Sequence, residues 1–171
     1  MQIDLSRIMS KTAFKTKQSL PIETRTKMAA LLNEGLASTV HLGLQAKQCH
    51  WNVKGPLFFQ LHELFDKVYD EAAEWADVIA ERVVQLGVLA DSRLEVLQKN
   101  TKLPTHPADL HKDTQVADAF AKSLAALSEM LRHSVGHAEE AGDAATADLF
   151  TEVLRGADKM LWFVESHLQS D

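Results

Sequence analysis

The chain has 171 residues, enough for one ordinary domain with a real core, and it carries only 7 glycines and 4 prolines. Ala, Leu, Glu, Lys and Gln dominate and β-branched runs are scarce, a composition that favours an all-α protein over any sheet-based class. The single cysteine, Cys49, excludes an internal disulfide framework. With no membrane-length apolar run and no signal-peptide pattern, the expectation is a soluble cytoplasmic protein.

The net charge of −6 is unevenly spread. Residues 1–27 hold Arg7, Lys11, Lys15, Lys17, Arg25 and Lys27 against Asp4 and Glu23, a balance of +4 that leaves −10 on the remainder. Residues 1–20 lack a sustained helical stripe and are rich in Ser, Thr and Lys. They read as a basic N-terminal arm, mobile or loosely docked, ahead of a folded domain over 21–171. Pro21 suits a first helical turn. A helix is predicted from there to His50 or Trp51, with Met28, Leu31, Leu32, Leu36, Val40 and Leu44 among its apolar positions and Gly35 and Gly43 as points of close packing. Gly55-Pro56 ends it and turns the chain.

The next segment, Leu57–Leu86, has the pattern of one long helix. Leu61, Phe65, Val68, Ala72, Ala76, Ile79, Val83 and Leu86 recur at spacings of three and four and form a single buried stripe. A polar stripe runs beside it. With His62 set to zero and 100° per residue, Asp66 falls at roughly 40°, Asp77 at roughly 60° and Glu81 at roughly 100°, while the core stripe centres near roughly −80°. His62/Asp66 and Asp77/Glu81 are each i,i+4 pairs able to converge on an ion. Eleven residues of helix, about 16 Å, separate Asp66 from Asp77, whereas ligand atoms lie about 2.0–2.2 Å from a shared ion. One chain therefore cannot close the site. A two-fold axis near Ala72 and Ala73, with the same helix of a second subunit antiparallel, brings His62 and Asp66 of one beside Asp77 and Glu81 of the other and makes two equivalent sites per dimer.

Gly87 is a natural residue to follow this helix. From Val88 to His111 no long amphipathic stripe can be drawn; Ser92–Asn100 is expected to form a short helix capped by Ser92, inside a crossover between parallel helices. A further helix is predicted over Asp113–Ala141, with Val116, Phe120, Leu124, Leu127, Leu131 and Val135 inward. After Gly142 comes a last helix, capped by Asp143 or Thr146, with Leu149, Phe150, Val153, Leu154, Met160, Leu161, Val164 and Leu168 inward. The expected architecture is a ferritin-like four-helix bundle with a short helix in the long crossover and no fifth helix.

The stretch HWNVKGPLFFQLHELFD, followed by DVIAER, resembles the Dps family, the DNA-binding proteins from starved cells or miniferritins, and the resemblance extends over nearly the whole chain. It implies a ferroxidase centre built across a subunit two-fold axis, with His50, His62 and Asp66 from one subunit and Asp77 and Glu81 from its mate as metal ligands. The implied chemistry is oxidation of Fe(II) to Fe(III), by hydrogen peroxide in preference to dioxygen, and storage of ferric mineral in a hollow homododecamer that protects DNA, in the cytoplasm or on the nucleoid. Mixed His/carboxylate donors suit Fe(II) but also Zn(II) or Mn(II), so ligand type alone leaves the metal open. The resemblance also gives Trp51 a redox role near the iron, beside the plainer one of a packing aromatic at a helix end. It makes Glu140, Asp143 and Asp148 candidates for an acidic ion-entry pore, beside the plainer reading of helix N-terminal charge on Asp143 and Asp148.

Other features weigh less. His133, His137 and Glu140 lie at i, i+4 and i+7, a one-face arrangement read as a polar helix surface because the family motif does not use it. Cys49 is read as a small buried hydrophobe, and His41 and His111 receive no function. Arg7, Lys11, Lys15 and Lys17 are candidate nonspecific contacts to DNA phosphates, which keeps a mainly structural, DNA-compacting protein as the alternative. A di-iron oxygenase or catalase bundle would need Glu-x-x-His pairs, and no glutamate here has a histidine three residues later.

Overall fold

A computed structural model describes residues 14–169. Helices form over Ile22–Asn52 (α1), Phe58–Gln85 (α2), Leu94–Asn100 (α3), Asp113–Glu140 (α4) and Ala144–Glu165 (α5), with no strand among the described residues. α1 packs along α2 and α4 along α5, and the two hairpins close face to face into a bundle. The expected helix count needs correction: five helices form, not four without a fifth. Segment 94–100 closes nearly two turns because Leu97 finds a buried seat beside α1. Ser92 does not cap this helix; the residue at the cap position is Arg93, with no side-chain cap bond. None of the described helices is long and apolar enough to cross a membrane.

The predicted stripes largely form the core. On α2, Leu61, Phe65, Val68, Ala72, Ile79 and Val83 are buried, and Phe65 meets Phe120 of α4 edge-on with centroids 5.2 Å apart. Each fully buried side chain of this size contributes about 1.5–3 kcal/mol of transfer free energy. Gly35 and Gly43 are close-packing points as expected: a methyl at Gly35 would meet Phe150, and one at Gly43 would meet Tyr69 and Ala72. On α1 the stripe drifts, because over 31 residues the helix turns past its neighbours. Leu44 is left exposed as a result.

Two polar anchors fix the ends of the bundle. At one end the backbone of Lys54 pairs with the segment entering α4, through Lys54 N–H to His111 O and Asp113 N–H to Lys54 O. The buried Asp113 carboxylate accepts from the N–H groups of Leu57 and Thr114, which hold it below the usual carboxylate range. Gly55, at φ 136°, makes room for that carboxylate; a Cβ there would lie 2.4 Å from Asp113 Oδ2. Because α4 starts beside the α1–α2 turn, α4 runs parallel to α2 and the crossover spans the bundle's length. At the other end Arg82 of α2 reaches the α4–α5 turn. Its guanidinium donates to Asp143 Oδ1 (2.8 Å) and Thr146 Oγ1 (3.0 Å), all three groups being buried. Asp143 also caps α5 by accepting from Thr146 N–H.

The sequence reading missed Arg82 because, on helical periodicity, it borders the core stripe as any solvated arginine would. Arg82→Ala removes the partner of a buried carboxylate and should lower stability by about 3–5 kcal/mol. Thermal or denaturant unfolding of the variant against the parent checks this; an unchanged midpoint would contradict it.

Candidate metal centre

The antiparallel packing of α1 on α2 sets the last turn of one against the second turn of the other, and there His50 meets His62. Their rings stack with centroids 3.6 Å apart and planes 20° from parallel. Each ring bonds the other's backbone: His50 Nδ1 lies 2.8 Å from His62 O, and His62 Nδ1 lies 2.9 Å from His50 O. A carbonyl only accepts, so both Nδ1 atoms carry the proton and both Nε2 atoms keep a lone pair, the tautomer a metal ligand needs. The pairing has a local cause. At the C-terminus of α1 the His50 carbonyl loses its helical donor, since Lys54 N–H turns away to His111 O, and His62 takes that place.

Asp66, one turn after His62, joins them with Oδ1 3.9 Å from His50 Nδ1. Its carboxylate is bonded to the Lys47 ammonium, which above all holds it below the usual carboxylate range, the Lys47 charge acting in the same direction. Lys47 also lies 4.8 Å from the Tyr69 ring centroid. The sequence reading did not include Lys47, although its i,i+3 relation to His50 puts both on one face of α1. The chain thus brings His50, His62 and Asp66 together, half-buried at the surface. Asp77 and Glu81 stand exposed further along α2, about 16 Å away by helical rise. No three His, Cys, Asp or Glu side chains among the described residues of one chain could hold a metal together.

The helix face that carries these groups is unusual for a helix in water. Phe59 (66 % exposed), Tyr69 (37 %) and Val84 (50 %) lie open along it with Ala73, within roughly 60° of the His62–Asp66 direction. Exposed apolar side chains recurring along one helix face suit an interaction site. One detail of the expected crossing is corrected. Ala72 faces inward, 1 % exposed and against Gly43, so only Ala73 lies on the open face.

Other candidates separate clearly. Trp51 is 68 % exposed and takes no part in this chain's core, so the plain packing role is not seen within one chain. Glu140 and Asp148 are exposed, but Asp143 does not fit an open pore. It is 2 % exposed, neutralised by Arg82 and committed to capping α5. Cys49 is buried, with its thiol pushed up to about 12 by desolvation. His41, given no role from sequence, links α1 to the crossover, with Nδ1 2.9 Å from Thr101 Oγ1 and Nε2 3.1 Å from the Gln45 amide. Lys15 and Lys17 are exposed, whereas Arg7 and Lys11 lie outside the described residues. Within the segment read as an arm, Phe14 N–H donates to Gly87 O, so residues from 14 onward are docked on the end of α2.

Comparison with known proteins identifies the family. The ferritin-like domain family matches residues 29–171. A DNA protection during starvation protein of Agrobacterium fabrum is 43% identical over 155 residues, covering 91% of this chain and 96% of the relative. DNA protection during starvation protein 2 of Deinococcus radiodurans is 31% identical over 166 residues, 91% of this chain and 68% of the relative. Among solved structures, DpsC from Streptomyces coelicolor superposes with a TM-score of 0.88 at 30% identity, covering 94% of both chains. Mycobacterium smegmatis Dps gives a TM-score of 0.87 at 27% identity, with 91% of this chain and 95% of that one covered. With this fold, these relatives and a paired-histidine half-site on the first two helices, the chain belongs to the Dps family of ferritin-like proteins.

Proposed function

We propose that this protein is an iron-oxidising, iron-storing miniferritin whose ferroxidase centres are shared between two-fold-related subunits. His50, His62 and Asp66 come from one subunit, and Asp77 and Glu81 from its mate. The observation that carries this reading is the reciprocal His50–His62 pair, its Nε2 lone pairs free, beside Asp66 on an exposed apolar face. In the reaction, Fe(II) is substrate. Two Fe(II) ions each give up one electron, the O–O bond of hydrogen peroxide breaks, and with two protons two waters leave. Dioxygen is the slower oxidant. The carboxylates offset the added positive charge of Fe(III). The ferric product collects as mineral inside a homododecamer of tetrahedral symmetry, cytoplasmic and associated with the nucleoid, and DNA is spared from peroxide chemistry. Anaerobic loading with Fe(II), followed by peroxide and then by air, tests the oxidant order. Light scattering that finds a 19.0 kDa monomer contradicts the assembly.

A second reading, DNA compaction, draws on the relatives' names, which speak of DNA protection, and on the basic balance of residues 1–27. Many arms on one shell raise avidity without stronger individual contacts. Deleting residues 1–13, which leaves the docked segment from Phe14 in place, should weaken DNA retention at low salt and leave Fe(II) oxidation intact. Full-length protein that does not shift DNA even at low ionic strength would remove DNA from its partners.

Sharing of the centre is tested by mixing two inactive variants, His50→Ala with His62→Ala and Asp77→Asn with Glu81→Gln. In a mixed dimer one site gathers every defect and the other is intact, so random pairing should return roughly a quarter of parental activity. A site contained in one chain returns none, and mass spectrometry verifies that mixing occurred.

Lys47 acts as an internal cation that competes for Asp66. In Lys47→Met the Asp66 carboxyl should titrate closer to its ordinary range. The sign follows from the lowered value: the Lys47–Asp66 pair contributes above the ordinary carboxylate pKa and is lost as pH falls through the folded one. At neutral pH the carboxylate stays ionised either way, so removing Lys47 lifts only the competition. Fe(II) half-saturation should fall by up to about fivefold, the range of an exposed ion pair. A carboxyl titration by NMR and an Fe(II) binding isotherm read the two effects separately.

A further inference from the structure

α4 carries a second cluster of metal-donor side chains, away from the centre described above. Glu129, His133, His137 and Glu140 fall within roughly 80° of one another around the helix axis, with the two histidines one turn apart in the middle. Both imidazoles are open to solvent, His133 at 75% and His137 at 56% side-chain exposure. Each already leans on a carboxylate: His133 Nε2 is 3.9 Å from Glu129 Oε1, and His137 Nδ1 is 3.8 Å from Glu140 Oε2. At the edge of this face is Gly136, and nothing lies within 4 Å of where its Cβ would stand. The face borders a groove of about 380 Å³ between α1 and α4, into which Glu34 projects beside Lys102 at 3.6 Å.

From this arrangement we infer that His133 and His137 form a two-nitrogen chelate for a borderline divalent transition-metal ion of the Zn(II), Cu(II) or Ni(II) class, independent of the ferroxidase centre. Histidines at i and i+4 have Cβ atoms about 5–6 Å apart, within reach of one ion. Imidazole nitrogen suits these metals over hard cations such as Mg(II) or Ca(II). Exposed rings reorient within nanoseconds, so the carboxylate contacts present no barrier to convergence. Glu129, Glu140 and Glu34 supply a negative field that raises the local cation concentration, and water fills the remaining coordination positions. The helix holds both donors on one rigid turn, so the second nitrogen binds at high effective concentration.

The test is Zn(II) bound per chain of the assembled protein, by equilibrium dialysis at fixed free Zn(II) near pH 7.5. Parent, His133→Ala, His137→Ala and His50→Ala/His62→Ala are compared. The parent and the His50→Ala/His62→Ala variant should each hold one equivalent per chain that His133→Ala and His137→Ala lose. Either single substitution should weaken that equivalent by about a hundredfold, the gain expected from a tethered second donor. The initial rate of Fe(II) oxidation should be unchanged in both. Zn(II) binding that is the same in His133→Ala and His137→Ala as in the parent overturns the assignment. So does a parent whose whole Zn(II) complement disappears with His50→Ala/His62→Ala. Because Zn(II) counting does not depend on oxidation activity, failure here leaves the ferroxidase reading standing, and the reverse holds too.

Discussion

A straight α-helix advances about 1.5 Å per residue and does not compress, and the arrangement of this protein's chemistry depends on that fixed rise. α2 carries four candidate ligands on one stripe, but its rise holds Asp66 and Asp77 about 16 Å apart, and no side chain bridges such a gap. The same regularity that prevents one chain from closing a site makes a symmetric pair of chains able to close two. It also fits the exposed Tyr69 between the ligand pairs and the exposed Phe59 and Val84 just outside them on the same face. On an isolated subunit they carry a solvation cost, whereas a second antiparallel copy would cover them and set the distal carboxylates opposite the histidines.

Within one chain, the precision of the half-site comes from helix ends. The His50 carbonyl loses its donor where α1 stops, and the reciprocal imidazole bonds use that unpaired group to fix two tautomers at once. α1 stops there because Gly55 lets the Asp113 carboxylate in under the turn and because Lys54 pairs with the strand-like entry to α4. The opposite end is held by Arg82 through Asp143 and Thr146. The turn that carries the candidate ligands is therefore positioned by interactions remote from those ligands. This is the usual requirement for ligands held to within fractions of an ångström.

Charge is distributed unevenly along the chain, in a way that would suit the proposed cationic substrate. The body beyond residue 27 carries −10. Beside His50 and His62, Lys47 already sits on Asp66, so a metal ion bound there, as proposed, would exchange with a cation rather than with water alone. Not every acidic residue serves this field. Asp143 lies next to exposed Glu140 in space and chain, yet its charge is spent on Arg82 and on the first turn of α5.

The sequence by itself determined the helical class, the bounds of the long helices to within a residue or two, and the inward stripes of α2, α4 and α5. All of these follow from local periodicity, which a linear reading measures directly. It also determined that His62, Asp66, Asp77 and Glu81 share a face and cannot serve one ion within one chain, since that is arithmetic on helical rise. Only the tertiary structure decided which neighbours those residues meet. Lys47 and Asp66 are 19 positions apart in sequence, Arg82 and Asp143 are 61 apart, and nothing in local spacing pairs them. Periodicity already set Ala72 on the inward stripe, and what the fold added is its neighbour Gly43, with Ala73 on the open face. The short helix at 94–100 was expected from sequence, and what packing decided is its seat, with Leu97 buried beside α1. Periodicity reports which way a residue points; packing decides what it points at.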